Sequence, residues 1–216
     1  MTSIIALISC GAYALLMASP YNGYWITSLV KLLVFFGIPF CFLLKKKEDI
    51  SYVFSVGKRS SLKIPFFLGI GCTAVIWIGF TLLYRFFDRS QILSGLLAQG
   101  ITKVVYPFVF LHIVFINSFL EEFFFRGFLF RLSYQKGNKR YAYLFSSVLF
   151  ALYHISIFQS WFSPGMVAFC IIGLVFAGIF FCEVDRRCDN IYGGWLIHLG
   201  ANLGINVIGA WLFMMS

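Results

Sequence analysis

The chain has 216 residues, 61% hydrophobic and only 12% charged, against about 45–50% and about 25% in an average soluble domain. Such proportions exclude an ordinary soluble fold and define an integral membrane protein. No polar linker, repeat or low-complexity segment divides it, so residues 1–216 are expected to form one membrane domain. The net charge of +9 is read by its location, in the connections between apolar runs, which points to membrane lipid as a partner and not to nucleic acid.

Apolar runs fall at about 4–19, 24–44, 64–85, 104–130, 141–158, 165–182 and 191–213. Each approaches the ~17–25 residues needed to cross a bilayer as a helix, so the spacing predicts an all-α, polytopic bundle of about seven transmembrane helices. The count becomes eight if the segment around 86–103 also enters the membrane. Alternate connections are basic: Lys45, Lys46, Lys47, Lys58, Arg59 and Lys63, then Arg131, Lys136, Lys139 and Arg140, then Arg186 and Arg187. The opposite set holds only Arg85, Arg89 and Lys103, and the positive-inside rule therefore places the N-terminus in the cytoplasm of a multi-pass cell-membrane protein. The first run has no clear cleavage site and is followed at once by a second, which suits a retained helix rather than a signal peptide.

Lys31 lies in the second run, where it would snorkel or pair, and no role is assigned to it. Between the second and third runs, Ile50, Val53, Phe54 and Leu62 interleave with Lys58, Arg59 and Lys63. That pattern suits either a segment lying on an anionic leaflet or a plain basic loop. The six cysteines form no CxxC pair and are read as small core residues.

The fourth run contains Glu121-Glu122-Phe-Phe-Phe-Arg126. A charge in mid-bilayer costs about 2.5–3.5 kcal/mol on insertion scales, so charged side chains there face the protein interior and mark function. Glu122 and Arg126, four apart, share a helix face and can form a charge-assisted pair, whereas Glu121 points elsewhere and has no counter-charge in its own helix. His112, nine residues earlier, faces another side and is read as structural. The fifth run carries Phe150 and His154 one turn apart. The last carries His198 and Asn202, again at i, i+4, with Gly200 and Gly204 nearly opposite in the small-xxx-small pattern of close helix contacts. Counted at ~1.5 Å per residue from the cytoplasmic ends, Glu121, His154 and His198 lie roughly 15, 20 and 12 Å deep, which places them in one layer.

A carboxylate, two imidazoles and an amide in one layer can activate water and stabilise an oxyanion. The same Glu121, His154 and His198 could instead hold a divalent metal such as zinc, and spacing does not decide between the two because the ligands come from three helices. No cofactor is favoured.

EEFFFRGFLF, FALYH and HLGAN resemble the EExxxR, FxxxH and HxxxN signatures of the CAAX protease and bacteriocin-processing (Abi) family of intramembrane endopeptidases. The signatures run from about Ser118 to Gly204, within a family-like core of about 104–213. The resemblance implies that Glu121 and His154 orient and deprotonate the attacking water, that His198 and Asn202 stabilise the tetrahedral oxyanion, and that Glu122, Arg126 and Phe150 support the site or engage substrate. Members have been described both as metalloproteases and as metal-independent glutamate proteases; one carboxylate with amide-type oxyanion support favours the metal-free scheme. The implied substrate is a membrane-associated peptide or lipidated protein: a prenylated CAAX-type protein, a peptide pheromone or a bacteriocin precursor. The competing expectation is a non-catalytic bacteriocin-immunity or peptide-binding membrane protein. A proton-coupled transporter would also use intramembrane Glu and His but commonly shows an inverted repeat, which this chain lacks.

Overall fold

The computed structural model describes residues 1–56, 62–159 and 162–215, and all regular structure among them is helical. Among the described residues there are eight helices of ten residues or more, seven of them along the apolar runs: α1 (Thr2–Met17), α2 (Tyr24–Lys46), α3 (Lys63–Phe86), α4 (Arg89–Ala98), α5 (Tyr106–Gln135), α6 (Lys139–Phe158), α7 (Pro164–Cys188) and α8 (Tyr192–Met214). Six of these are long and apolar enough to span a membrane, and α1, with 16 residues, falls just short of that length. The segment around 86–103 contains the ten-residue α4.

Helix ends follow local chemistry. Asp88, Asn138 and Ser163 side chains accept N–H bonds at the starts of α4, α6 and α7, as N-caps do. Left-handed residues stop two of the spans, Lys47 after α2 and Asp189 after α7, with basic residues in both last turns. Helix α8 is held at its start by Asn190, whose Oδ1 accepts from the Tyr192 and Gly193 N–H groups at 2.9 and 3.3 Å.

Burial orders the bundle. Half of the α5 span is inside the protein, against 6% for α3, so α5 is the central helix and α3 a peripheral one. Large apolar side chains such as Ile64, Phe67, Leu82, Phe169 and Phe176 are exposed on the outside, as a lipid-facing surface requires. The core is aromatic: Phe35, Phe123, Phe124, Phe125, Phe128 and Phe150 are almost wholly buried. The register of α8 on α5 is set by three hydrogen bonds, Trp195 Nε1 to Ser118 Oγ (3.0 Å), Asn202 Nδ2 to Ile113 O (3.1 Å) and Tyr106 Oη to Asn206 O (2.7 Å).

Two sequence expectations change. Val53 does not lie along a membrane surface; it is fully buried and packs toward Gly127, because this segment tucks against α5. Lys58 and Arg59 of that expectation lie outside the described residues. Of the six cysteines, Cys10 and Cys182 are buried core residues, but Cys41 is exposed and the other three are half-buried.

Candidate active site

Three stretches of wider, π-helical turn surround the buried charges: Leu32–Gly37 immediately after Lys31, and His112–Asn117 and Phe123–Phe130 on either side of the paired glutamates. Such insertions rotate side chains away from regular helical positions and concentrate at functional sites. Arg126 Nη1 lies 3.2 Å from Glu122 Oε1, close enough for an ion pair, yet no guanidinium nitrogen makes an aligned hydrogen bond. The guanidinium instead sits between the rings of Phe150 and Phe181, 4.2 and 4.9 Å from their centroids. Phe150, a sequence candidate, thus seats a cation on its face.

Glu121 and Glu122 diverge as adjacent helical residues must. Glu122 Oε1 lies 2.8 Å from His198 Nδ1. Glu121 turns toward α2 and α6 and uses its two oxygens differently. Oε1 accepts from Lys31 Nζ at 2.6 Å, Asn117 Nδ2 at 2.9 Å and Tyr153 Oη at 3.0 Å. Oε2 is buried without a hydrogen-bond partner and faces His198 Nε2 at 3.6 Å and His154 Nε2 at 3.7 Å. The expected layer of Glu121, His154 and His198 is therefore assembled from α5, α6 and α8.

The outer nitrogens of both histidines are committed elsewhere. His154 Nδ1 lies 2.8 Å from the Phe150 carbonyl, which only accepts, so this nitrogen carries a hydrogen. His198 Nδ1 faces the Glu122 carboxylate in the same way, and its ring stacks on Phe181. In their neutral forms both rings therefore present Nε2 lone pairs toward Glu121 Oε2. Asn202 is held at the α5–α8 interface, where one of its amide hydrogens goes to Ile113 O at 3.1 Å. His112 is structural as expected, bonded through Nδ1 to Tyr24 Oη at 2.7 Å and packed edge-on against Tyr24 and Trp25.

Sequence reasoning missed four participants. Lys31 was left without a role although a lone lysine in an apolar span is itself a signal. Asn117 stands one turn before Glu121, and Tyr153 precedes His154; both bond to the same carboxylate oxygen. Asp185, buried near the end of α7, accepts the Gly194 N–H at 2.7 Å and lies beside Glu122. Only its charge within a long apolar helix could have marked it.

A groove of about 350 Å³ opens between α2 and α5, lined by Trp25, Ser28, Leu29, Leu32, His112, Ile116 and Leu120. Leu32 and Leu120 are chain neighbours of Lys31 and Glu121.

These features describe a polytopic helical membrane protein with a buried carboxylate–imidazole centre. Over residues 103–204 the chain matches the family model for type II CAAX prenyl endopeptidase Rce1-like proteins. This segment, which carries all three motifs, is similar to the CAAX protease and bacteriocin-processing family of membrane-embedded endopeptidases. No curated protein and no solved structure matches the chain.

Proposed function

We propose that the protein hydrolyses a peptide bond in a membrane-associated substrate, using a water molecule held between Glu121, His154 and His198. The observation that carries this reading is the bare Glu121 Oε2, buried and unbonded, with two imidazole nitrogens 3.6 and 3.7 Å away. Those gaps exceed the ~2.7–3.2 Å of a direct hydrogen bond and leave room for an atom bridging them.

Proton counting supports a water there. Two nitrogen lone pairs and a carboxylate oxygen face one another, and a water supplies only two hydrogens, so the site accommodates one further proton. Placed on His198, between two carboxylates, it makes that ring a donor from both nitrogens. Water loses a proton toward Glu121 or His154 as its oxygen bonds to the carbonyl carbon, the His198 imidazolium stabilises the resulting oxyanion, with Asn202 one turn along α8 offering its remaining amide hydrogen, and the proton taken from water passes to the amide nitrogen as the C–N bond breaks and the amine leaves. Glu122 and Arg126 fix His198 from behind.

The donor types, two imidazoles and a carboxylate, also suit zinc, and gaps of 3.6 and 3.7 Å are not far from the ~3.3 Å between tetrahedral ligands held at ~2.0–2.1 Å. What favours a metal-free reading is Lys31, whose ammonium already places a positive charge on the Glu121 carboxylate at 2.6 Å. The reading adopted is therefore a metal-free one.

The groove between α2 and α5 gives an apolar segment or lipid chain a route from the bilayer toward the site. The family model favours a CAAX-type substrate, and pheromone or bacteriocin precursors share the same amphipathic chemistry. The basic connections support an N-terminus on the cytoplasmic side. The test is cleavage of a prenylated CAAX peptide by purified protein in lipid nanodiscs. Glu121→Gln is expected to lose at least about 10²-fold in kcat while remaining folded. Undiminished cleavage by that variant would remove the assignment, and tight peptide binding without cleavage by the parent would favour a peptide-binding protein instead.

A further inference from the structure

The N-terminal half of the chain, outside the matched segment, contributes one buried cation to the site, Lys31 of α2. It is 3% exposed, and its ammonium meets three acceptors, Glu121 Oε1 at 2.6 Å, Asn117 Oδ1 at 2.5 Å and the hydroxyl of Tyr153. An ammonium has three hydrogens and no lone pair, so this environment satisfies it completely. Aromatic faces enclose it, with Tyr153, Phe35 and Tyr13 centroids at 4.7, 5.5 and 5.7 Å.

The asymmetry of Glu121 follows from this arrangement. All its hydrogen bonds fall on Oε1 and none on Oε2. A carboxylate pinned through one oxygen cannot rotate without breaking three bonds, and its second oxygen stays aimed at the two histidines. Asn117 and Tyr153 each bridge Lys31 and Glu121, accepting from the first and donating to the second. The leucine stretch after Lys31 is a widened turn, which lets the lysine point inward while Leu32 and Leu33 face outward.

On the proposed hydrolytic reading, we infer that Lys31 is a positioning residue: with Asn117 and Tyr153 it holds the Glu121 carboxylate ionised and oriented, so that Oε2 alone is presented to the attacking water. A catalytic base held this way keeps its charge in an apolar bundle without a metal ion beside it.

The experiment combines turnover with an infrared measurement of the Glu121 carboxylate in the purified full chain. The Glu121 signal is identified by its loss in Glu121→Gln. In Lys31→Met the carboxylate band is expected to be replaced by that of a carboxylic acid, kcat to fall at least about 10²-fold and KM to stay within about threefold. Lys31→Arg, which keeps the charge, is expected to retain the carboxylate band and to recover part of the turnover. Loss confined to KM, an unchanged carboxylate band or parental kcat in Lys31→Met would overturn the inference. Should Lys31→Met fail to yield monodisperse protein, Tyr153→Phe carries the test: about a tenfold loss in kcat with KM unchanged supports it, and parental kcat overturns it. A parent without any peptidase activity would sink the hydrolytic reading, and the infrared comparison would still decide what Lys31 does to Glu121.

Discussion

Gly200 and Gly69 meet backbone to backbone where α8 crosses α3. A Cβ built on Gly200 would collide with the Gly69 carbonyl, and one built on Gly69 would lie 2.6 Å from Leu196 O. Thr73 fastens the same crossing by donating to Gly200 O at 2.7 Å. Neither glycine has room for a side chain, since the opposing atoms are main chain and cannot move aside. Gly200→Val is therefore expected to cost about 1–3 kcal/mol or more. It should lower the thermal midpoint and the yield of monodisperse protein, whereas Gly71→Ala, at a site with open space around the Cβ, should leave both near the parental level.

Gly194 plays a different part, at the start of the same helix. A methyl group there would lie 2.6 Å from Asp185 Oδ1 and 2.9 Å from Glu122 Oε2, forcing apart the two acids that support His198 and the first turn of α8. Gly194→Ala is expected to reduce peptide cleavage about tenfold or more while lowering the thermal midpoint by only a few degrees. Activity and thermal unfolding measured on the same preparation would check this; an unaffected kcat would show that the Glu122–Asp185 contact does not bear on the site.

Glu122 and His198 form the bond on which the proposed oxyanion support depends, 2.8 Å from carboxylate to Nδ1. Glu122→Gln keeps an oxygen able to accept from Nδ1–H but removes the charge that stabilises an imidazolium. Turnover is expected to fall about 10²-fold with smaller change in KM, measured with the same peptide. His198→Gln should fall at least as far, and the double variant no further than His198→Gln alone, because both changes act through one ring.

Much of this arrangement was legible because the bilayer makes polar residues expensive. Glu121, His154 and His198 could be placed in one layer from motif positions and helical rise, and the coordinates bring the Nε2 atoms of both histidines to 3.6–3.7 Å from Glu121 Oε2. The packing role of Gly200 and Gly204 followed from their spacing opposite His198, and they do face Gly69 and Ile76. The partners of Glu121 were not legible, since Lys31 is 90 residues away and its direction depends on how α2 packs. The Glu122–Arg126 pair was legible from its i, i+4 spacing and is present at 3.2 Å, whereas the seating of the guanidinium between Phe150 and Phe181 depends on how α6 and α7 pack and was not. Asn202 illustrates a further limit: periodicity gave its face, but not that an amide hydrogen would be taken by Ile113 O.

The charge balance around Glu121 leads to a last prediction, on metal dependence. A divalent ion bound by Glu121, His154 and His198 would sit on a carboxylate whose other oxygen already lies 2.6 Å from an ammonium. Two cations on one carboxylate repel each other strongly in a low-dielectric bundle, where screening by water is weak. The same ammonium is 3% exposed and satisfied by three acceptors, which hold it against the carboxylate. Cleavage is therefore expected to remain within about twofold of its starting rate after exhaustive treatment with a chelator, and metal analysis to find well below one zinc per chain. In Lys31→Met the repulsion is gone, and zinc affinity measured by titration should rise relative to the parent. Stoichiometric zinc in the parent, lost together with activity on chelation and restored with it, would instead make Glu121, His154 and His198 metal ligands and leave the water to be activated by the ion.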